Sequence, residues 1–167
     1  LLGEILKRSV CAECRFCCSF RRVSLWEVPF VSEELFKKQP DKELFEKIEV
    51  RGAVCYRMIL DNDYKTEDPG EEAPCFFLDP QRGCTLNDED KPLDCKIWPL
   101  RIMETDKGGY VIALSPTCPA VNRVPLERVR RVAESIENEV RIYAKKHPYI
   151  IKKYIDGYPI LTEFDEL

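Results

Sequence analysis

Residues 11–20 read CAECRFCCSF, placing Cys11, Cys14, Cys17 and Cys18 within eight positions, the last two adjacent. Thiols so close in sequence serve as a disulfide staple, a metal centre or a reactive pair. A disulfide between neighbours Cys17 and Cys18 would close a strained ring. The opening LLGEILKRSV is too short and too charged for a signal-peptide core, so the cytoplasm is the expected location. Thiols stay reduced there, and a chain with nine cysteines then points to metal rather than disulfides.

The other cysteines sharpen this expectation. Cys75, Cys84 and Cys95 fall in residues 74–100, a stretch punctuated by Pro74, Pro80, Pro92 and Pro99. So irregular a segment seldom orders itself without an added crosslink. Cys118 lies in SPTCPAV, whereas Cys55, in GAVCYRM, reads as a small hydrophobe on a strand. Setting Cys55 aside leaves eight thiols, Cys11, Cys14, Cys17, Cys18, Cys75, Cys84, Cys95 and Cys118, enough for two four-thiolate sites. The C-x-x-C-x-x-C spacing from Cys11 to Cys17 is that of the first three ligands in bacterial ferredoxins, whose fourth cysteine precedes a proline, as Cys118 does. One division therefore sets Cys11, Cys14, Cys17 and Cys118 around a [4Fe–4S] cluster and Cys18, Cys75, Cys84 and Cys95 around a second metal. Cys17 and Cys18 could exchange roles. Zinc is the alternative, because C-x-x-C is also a zinc knuckle and four thiolates make a closed structural site. Softness does not separate the two metals. Arg15, Arg21, Arg22, Lys96 and Arg101 are available to offset thiolate charge, or are simply solvated.

The expected fold is α+β: a small, irregular, metal-stabilised cysteine-cluster domain with a β-hairpin and a long C-terminal amphipathic helix. One domain of 167 residues is expected, with a metal-binding core over 11–119, the helix over 122–147 and a tail, 148–167, packed on the body. Residues 1–10 read as a short helix, FRRVSLWEVPF as a strand, and SEELFKKQPDKELFEKIE as helix broken at Pro40. VRGAVCYRMIL reads as a strand, and IWPLRIMETDKGGYVIAL as a hairpin turning at Asp106 to Gly109. In PLERVRRVAESIENEVRIYAKKH, the residues Leu126, Val129, Ala133, Ile136, Val140 and Tyr143 make one apolar stripe. Glu127 with Arg131 and Glu137 with Arg141 give (i, i+4) support. Tyr154 and Tyr158 are expected to anchor the tail, and Trp26 and Trp98 to join the core.

A net charge of −4 and no apolar run long enough to span a bilayer argue against nucleic-acid and membrane partners. A protein partner or protein substrate is compatible with the sequence; oligomeric state cannot be read from it. DNDYKTEDPGEE and the acids of LNDEDKPLDC read as solvated loops, although Asp94 lies close enough to Cys95 to support a metal ligand. The lone histidine, His147, reads as a satisfied helix-end residue.

CAECRFCC, CFFLDPQRGC (75–84), KPLDCKIWP (91–99) and Cys118, in that order, resemble the zinc- or iron-chelating cysteine-cluster family with its C-x-x-C-x-x-C-C opening and R-P-x-x-C-R-x-[FY]-P segment. Lys91 and Lys96 stand where that family has arginine, and Trp98 where it has Phe or Tyr. The family includes the cysteine-cluster region of flagellin lysine N-methylase, so the resemblance implies iron–sulfur and, for that member class, S-adenosylmethionine. No G-x-G-x-x-G follows a strand here, and the residues support the metal module rather than the methylase. Three functions are thus expected: an iron–sulfur or iron protein acting in redox chemistry or in modification of a partner, a zinc-stabilised interaction module, and a protein lysine N-methylase-like enzyme. No catalytic residue can be named from the sequence.

Overall fold

A computed structural model describes residues 1–167, the side chain of Arg8 excepted. The chain is α+β, with small sheets and one long C-terminal helix. In order run α1 (Arg8–Cys14), β1 (Ser19–Arg21), α2 (Glu33–Lys37), β2 (Phe45–Val50), β3 (Ala53–Met58), β4 (Glu72–Pro74), β5 (Leu78–Asp79), β6 (Gly83–Cys84), α3 (Leu93–Ile97), β7 (Leu100–Glu104), β8 (Tyr110–Leu114), α4 (Leu126–Lys146), β9 (Lys152–Lys153) and β10 (Ile160–Phe164). Three-residue to six-residue 3₁₀ turns join several of them.

The main core lies between α4 and a four-stranded sheet of order β10-β8-β7-β9. α4 buries Val129, Val132, Ala133, Ile136, Val140 and Ala144 along one face. The stripe read from sequence is rotated slightly, for Leu126 is 43% exposed and Val132 takes a place inside. Of the two expected ion pairs, Glu137–Arg141 forms at 3.5 Å, while Glu127 pairs with Arg130 instead, at 3.7 Å. The sheet answers with Leu100, Ile102, Ile112 and Leu114. Strand alternation sends Met103, Val111 and Ala113 to the opposite face, where Tyr154, Ile155, Tyr158 and Ile160 of the tail cover them. The Tyr154 hydroxyl donates to the Tyr158 carbonyl at 2.9 Å, tying the tail into a closed turn. β7 and β8 form the expected hairpin, with Gly108 and Gly109 both at positive φ in its turn.

A second apolar cluster gathers Phe20, Val31, Leu35, Phe45, Tyr56, Met58 and Phe77. Its frame is the hairpin β2–β3, turned by Arg51 (φ 52°) and Gly52 (φ 75°), two left-handed residues that suit a two-residue loop. Here the reading of residues 32–49 as a broken helix gives way. Only Glu33–Lys37 is α-helical, and FEKIEV pairs with β3 along its whole length. Its Glu and Lys content favours helix, but Phe45 and Ile48 gain burial only in the sheet, and tertiary packing overrides propensity.

The expected strand at 20–30 is also corrected. β1 stops at Arg21, where its partner β4 ends, and Arg22–Glu27 turns into 3₁₀ helix. The Arg22 and Val23 N–H groups bond instead to the Glu71 and Pro69 carbonyls of the acidic loop, at 3.3 and 3.2 Å. That loop is ordered rather than merely solvated: the Glu71 carboxylate accepts from the Lys65 and Thr66 N–H groups, at 2.7 and 2.8 Å. Trp98 joins the core, but Trp26 remains 40% exposed. The N-terminal helix begins later than expected and carries Cys11 and Cys14. No helix is long and apolar enough among the described residues to cross a membrane.

The burial pattern predicts a sharp contrast in urea denaturation. Ile112→Ala, at 0% exposure, should cost about 2–5 kcal/mol. Ile142→Ala, 51% exposed on the outer side of α4, should change stability by less than about 0.5 kcal/mol.

Candidate metal centre and its cleft

Four short pieces of backbone bring the thiols together. α1 presents Cys11 and Cys14 at (i, i+3), on one side of the helix. Arg15 then adopts a left-handed conformation (φ 53°) that ends the helix and turns the chain into the 3₁₀ segment bearing Cys17 and Cys18. The antiparallel pair β1–β4 continues one step further, and the Cys75 N–H donates to the Cys18 carbonyl at 2.8 Å. The tiny hairpin β5–β6 opposes Cys84 to Leu78 and lays Gly83 against Ala12 of α1. Gly83 has φ 81°, and a Cβ there would come within 3.8 Å of the Ala12 side chain. Cys95 lies on α3, and Cys118 is buried just before the 3₁₀ turn Val121–Arg123.

Two adjoining cavities result. Cys11, Cys14, Cys17 and Cys118 line a small one of about 20 Å³, together with Trp98 and Pro119. Cys18, Cys75, Cys84 and Cys95 line a cleft of about 720 Å³, which Cys11 and Cys17 also reach. Cys11 and Cys17 thus border both cavities, Cys14 and Cys118 only the smaller one, and Cys18, Cys75, Cys84 and Cys95 only the larger. Among the described residues, however, no three His, Cys, Asp or Glu side chains are gathered tightly enough to hold a metal ion. Cys55 lies at 0% exposure in the main core and lines neither cavity.

The thiols act on one another electrically. Burial pushes the Cys11 thiol up, and the charges of Cys118, Cys14 and Cys18 push it further. Cys17 is raised because its thiol donates to Cys18, with burial adding to the effect. Cys18 is correspondingly lowered, to about 7, and the nearby charges of Lys91 and Arg15 help. Cys75 is raised to about 12 by burial, with Cys18 and Cys84 adding repulsion. Cys95, deep in the cleft although open to its space, is raised well above the thiol range by the surrounding protein, Cys75 and Asp94. Several thiols here resist ionising together unless a cation joins them.

One part of the site was misread from the sequence. Asp94, taken for a residue of a solvated turn, is 3% exposed and lies 2.9 Å from Nη1 of the equally buried Arg101. Arg101 stands on β7 with its guanidinium 4.5 Å over the Trp98 ring, and its Nη2 donates to the Glu27 carbonyl at 3.4 Å. Asp94, Arg101 and Glu27 all line the large cleft. The signal for this pair was present in the strand pattern: in LRIME, Leu100 and Ile102 face α4, so Arg101 shares the opposite face with Met103. Lys91 and Lys96 bond to the Asp88 carboxylate and the Glu89 carbonyl, at 3.0 and 3.3 Å, along the cleft rim. Arg21 and Arg22 turn away, to Glu72 and to the Thr66 carbonyl.

His147 closes α4. Its N–H donates to the Tyr143 carbonyl at 2.8 Å and its Nδ1 meets the Tyr149 hydroxyl at 3.1 Å.

No family model matches the chain, and no curated protein or solved structure is significantly similar to it. The resemblance to the cysteine-cluster family therefore rests on the four cysteine motifs alone.

Two predictions follow from the buried polar groups. Asp94→Ala leaves the Arg101 charge buried without its counter-ion and should destabilise by about 3–5 kcal/mol. Glu72→Ala, which breaks an exposed pair with Arg21, should cost no more than about 1 kcal/mol. Equal, small losses in thermal denaturation would contradict the buried pairing. Burial also lowers the pKa of His147 below its ordinary 6.5. The folded state then disfavours the imidazolium, so this contribution to stability is present above pH 6.5 and is lost as pH falls towards the folded pKa. As the sole histidine, it should give one resolved NMR titration with a midpoint below 6.5; a midpoint at or above that value would contradict the packing.

Proposed function

We propose that the chain is a thiolate metal-centre protein that acts through iron–sulfur or iron in redox chemistry or in the modification of a partner protein. Cys11, Cys14, Cys17 and Cys118 would hold one centre, and Cys18, Cys75, Cys84 and Cys95 the other. The observation that supports this reading is that eight thiols from distant parts of the chain line two adjoining cavities, Cys11 and Cys17 bordering both, while Cys55 stays in the core. The donor chemistry fits a soft or borderline cation, because thiolate is the ligand such ions prefer. The electrostatics point the same way. Raised, mutually repelling thiols are satisfied by a cation, whose binding would release their protons.

Bound iron or an iron–sulfur cluster supplies one-electron chemistry. The chain's own residues set the surroundings. Lys91 and Arg15 favour thiolate charge at Cys18. Arg101 offsets charge at Cys95, and Trp98 and Pro119 give the smaller cavity part of its apolar lining.

The size of that smaller cavity favours zinc at its position as a second reading. About 20 Å³ admits roughly one water-sized body. Such a space suits a single ion held by four thiolates as a structural staple, with binding free energy on the order of 10 kcal/mol given over to folding.

Elemental analysis with acid-labile sulfide, on protein purified without oxygen, tests both readings. Iron with sulfide and a broad absorption near 400 nm (the range expected of a cubane cluster) is the expected result; zinc alone would favour the structural staple. Cys14→Ser should lose about half the metal or more, whereas Cys55→Ser should keep its full content. Equal loss in the two variants, or no metal in native protein, would overturn the assignment.

A further inference from the structure

The register of β1 and β4 sets two of the cleft thiols opposite each other. Ser19 pairs with Pro74, Phe20 with Ala73 and Arg21 with Glu72, so the next step along the ladder is Cys18 with Cys75. The 2.8 Å bond from the Cys75 N–H to the Cys18 carbonyl carries the pairing to that step. Residues directly opposite in an antiparallel pair present their side chains on one face. Accordingly both thiols line the large cleft, as does Phe20, two positions along from Cys18. The Cα atoms of a hydrogen-bonded cross-strand pair lie about 5.5 Å apart, inside the roughly 4.4–6.8 Å that a disulfide spans.

The other thiols of the cleft are not held to Cys18 in this way. Cys17 precedes it directly, and a disulfide between neighbours closes a strained ring. Cys84 stands opposite Leu78 in the separate β5–β6 hairpin, and Cys95 is carried by α3. Beyond Cys18, the Cys75 thiol meets the Met58 thioether at 4.0 Å, a contact between a weak donor and a weak acceptor. Cys18 and Cys75 are each partly exposed, and the cleft of about 720 Å³ admits an oxidant as small as hydrogen peroxide.

We propose that Cys18 and Cys75 are a cross-strand redox pair, which hydrogen peroxide converts to a disulfide when no metal holds the two thiols. The Cys18 thiolate attacks one peroxide oxygen and the O–O bond breaks. The other oxygen leaves as hydroxide, takes up the proton that Cys18 gave, and becomes water; Cys18 is left as a sulfenic acid. The Cys75 sulfur then attacks the Cys18 sulfur, the S–O bond breaks, and the departing hydroxyl leaves as a second water with the Cys75 proton. Two thiols lose two electrons and one peroxide gains them. The pair is formed by protein alone, but its consequence rests on the metal-centre reading. The disulfide withdraws Cys18 and Cys75 from the set they make with Cys84 and Cys95, so the oxidised chain takes metal only at the smaller cavity until a thiol reductant restores it.

Peptide mapping without reduction tests the pair. The full chain is reduced, freed of metal with a chelator and treated with an equimolar amount of hydrogen peroxide. A peptide joining Cys18 to Cys75 should be the main product, with Cys55 still a free thiol, and fragmentation between Cys17 and Cys18 identifies the partner. Cys75→Ser should lose this link and leave Cys18 as a sulfenic acid that dimedone traps, whereas Cys17→Ser should keep the link. No disulfide, or a main link from Cys18 to Cys17, Cys84 or Cys95, would overturn the proposal. Titration with zinc keeps the two readings apart. The reduced chain should take up two ions and the oxidised chain one, with the second recovered after dithiothreitol. Equal uptake by both forms would overturn the regulatory consequence, and a Cys18–Cys75 link in a chain that takes up no zinc refutes only the metal centre.

Discussion

The hydrogen bond from the Cys75 N–H to the Cys18 carbonyl, 2.8 Å long, extends the β1–β4 pairing into the cysteine-bearing loops. Much of the site depends on that short ladder. It fixes the 3₁₀ segment of Cys17 and Cys18 beside the turn that leads to Cys84, and so sets the thiols of two distant segments on one cleft. Three paired residues supply few bonds of their own, and each ordered loop residue costs about 1–2 kcal/mol of backbone entropy. The ladder is sustained from behind, where Phe20 of β1 and Ala73 of β4 are buried in the cluster of Tyr56, Met58 and Phe77. The Tyr64 hydroxyl adds a bond to the Phe20 carbonyl at 2.9 Å.

The molecule thus joins two unequal regions. Between α4 and the β7–β8–β10 sheet, burial is continuous and needs nothing beyond apolar area. Around the cysteines, β1, β4, β5 and β6 are only two or three residues long, and the side chains that line the cavities there include thiols, which repel once ionised. A cation held there, as proposed, would convert repulsion between thiolates into shared attraction. The rigid region contributes β7, which holds Arg101 in the cleft from outside the loops.

Elements whose logic is local were legible in the sequence. α4 has a periodic stripe and a proline at its start; the β7–β8 hairpin has its two glycines; Cys55 has β-forming neighbours. Elements decided at long range were not. FEKIEV carries helix-forming residues and becomes a strand because β3 lies across a two-residue turn. Residues 22–27 alternate like a strand but have no strand to pair with, since β4 is only three residues long and the acidic loop takes the Arg22 and Val23 N–H groups. That Cys11, Cys14 and Cys17 lie near one another was local arithmetic, whereas the place of Cys118 on the same small cavity depends on packing far along the chain.

Asp94 escaped for an instructive reason. Within LNDEDKPLDC it is one acid among four, and composition alone assigns all of them to solvent. Asp88 and Asp90 do stand at the rim, facing Lys91 and Lys38. Asp94 differs because α3 turns it inward, towards a strand residue seven positions later whose side is set by the pleat. A buried carboxylate beside a buried guanidinium is costly to assemble and seldom stabilises more than an apolar pair of equal size. What the pair supplies is position, for it ties α3, and with it Cys95, to β7, while the same guanidinium lies over the Trp98 ring and donates to the Glu27 carbonyl.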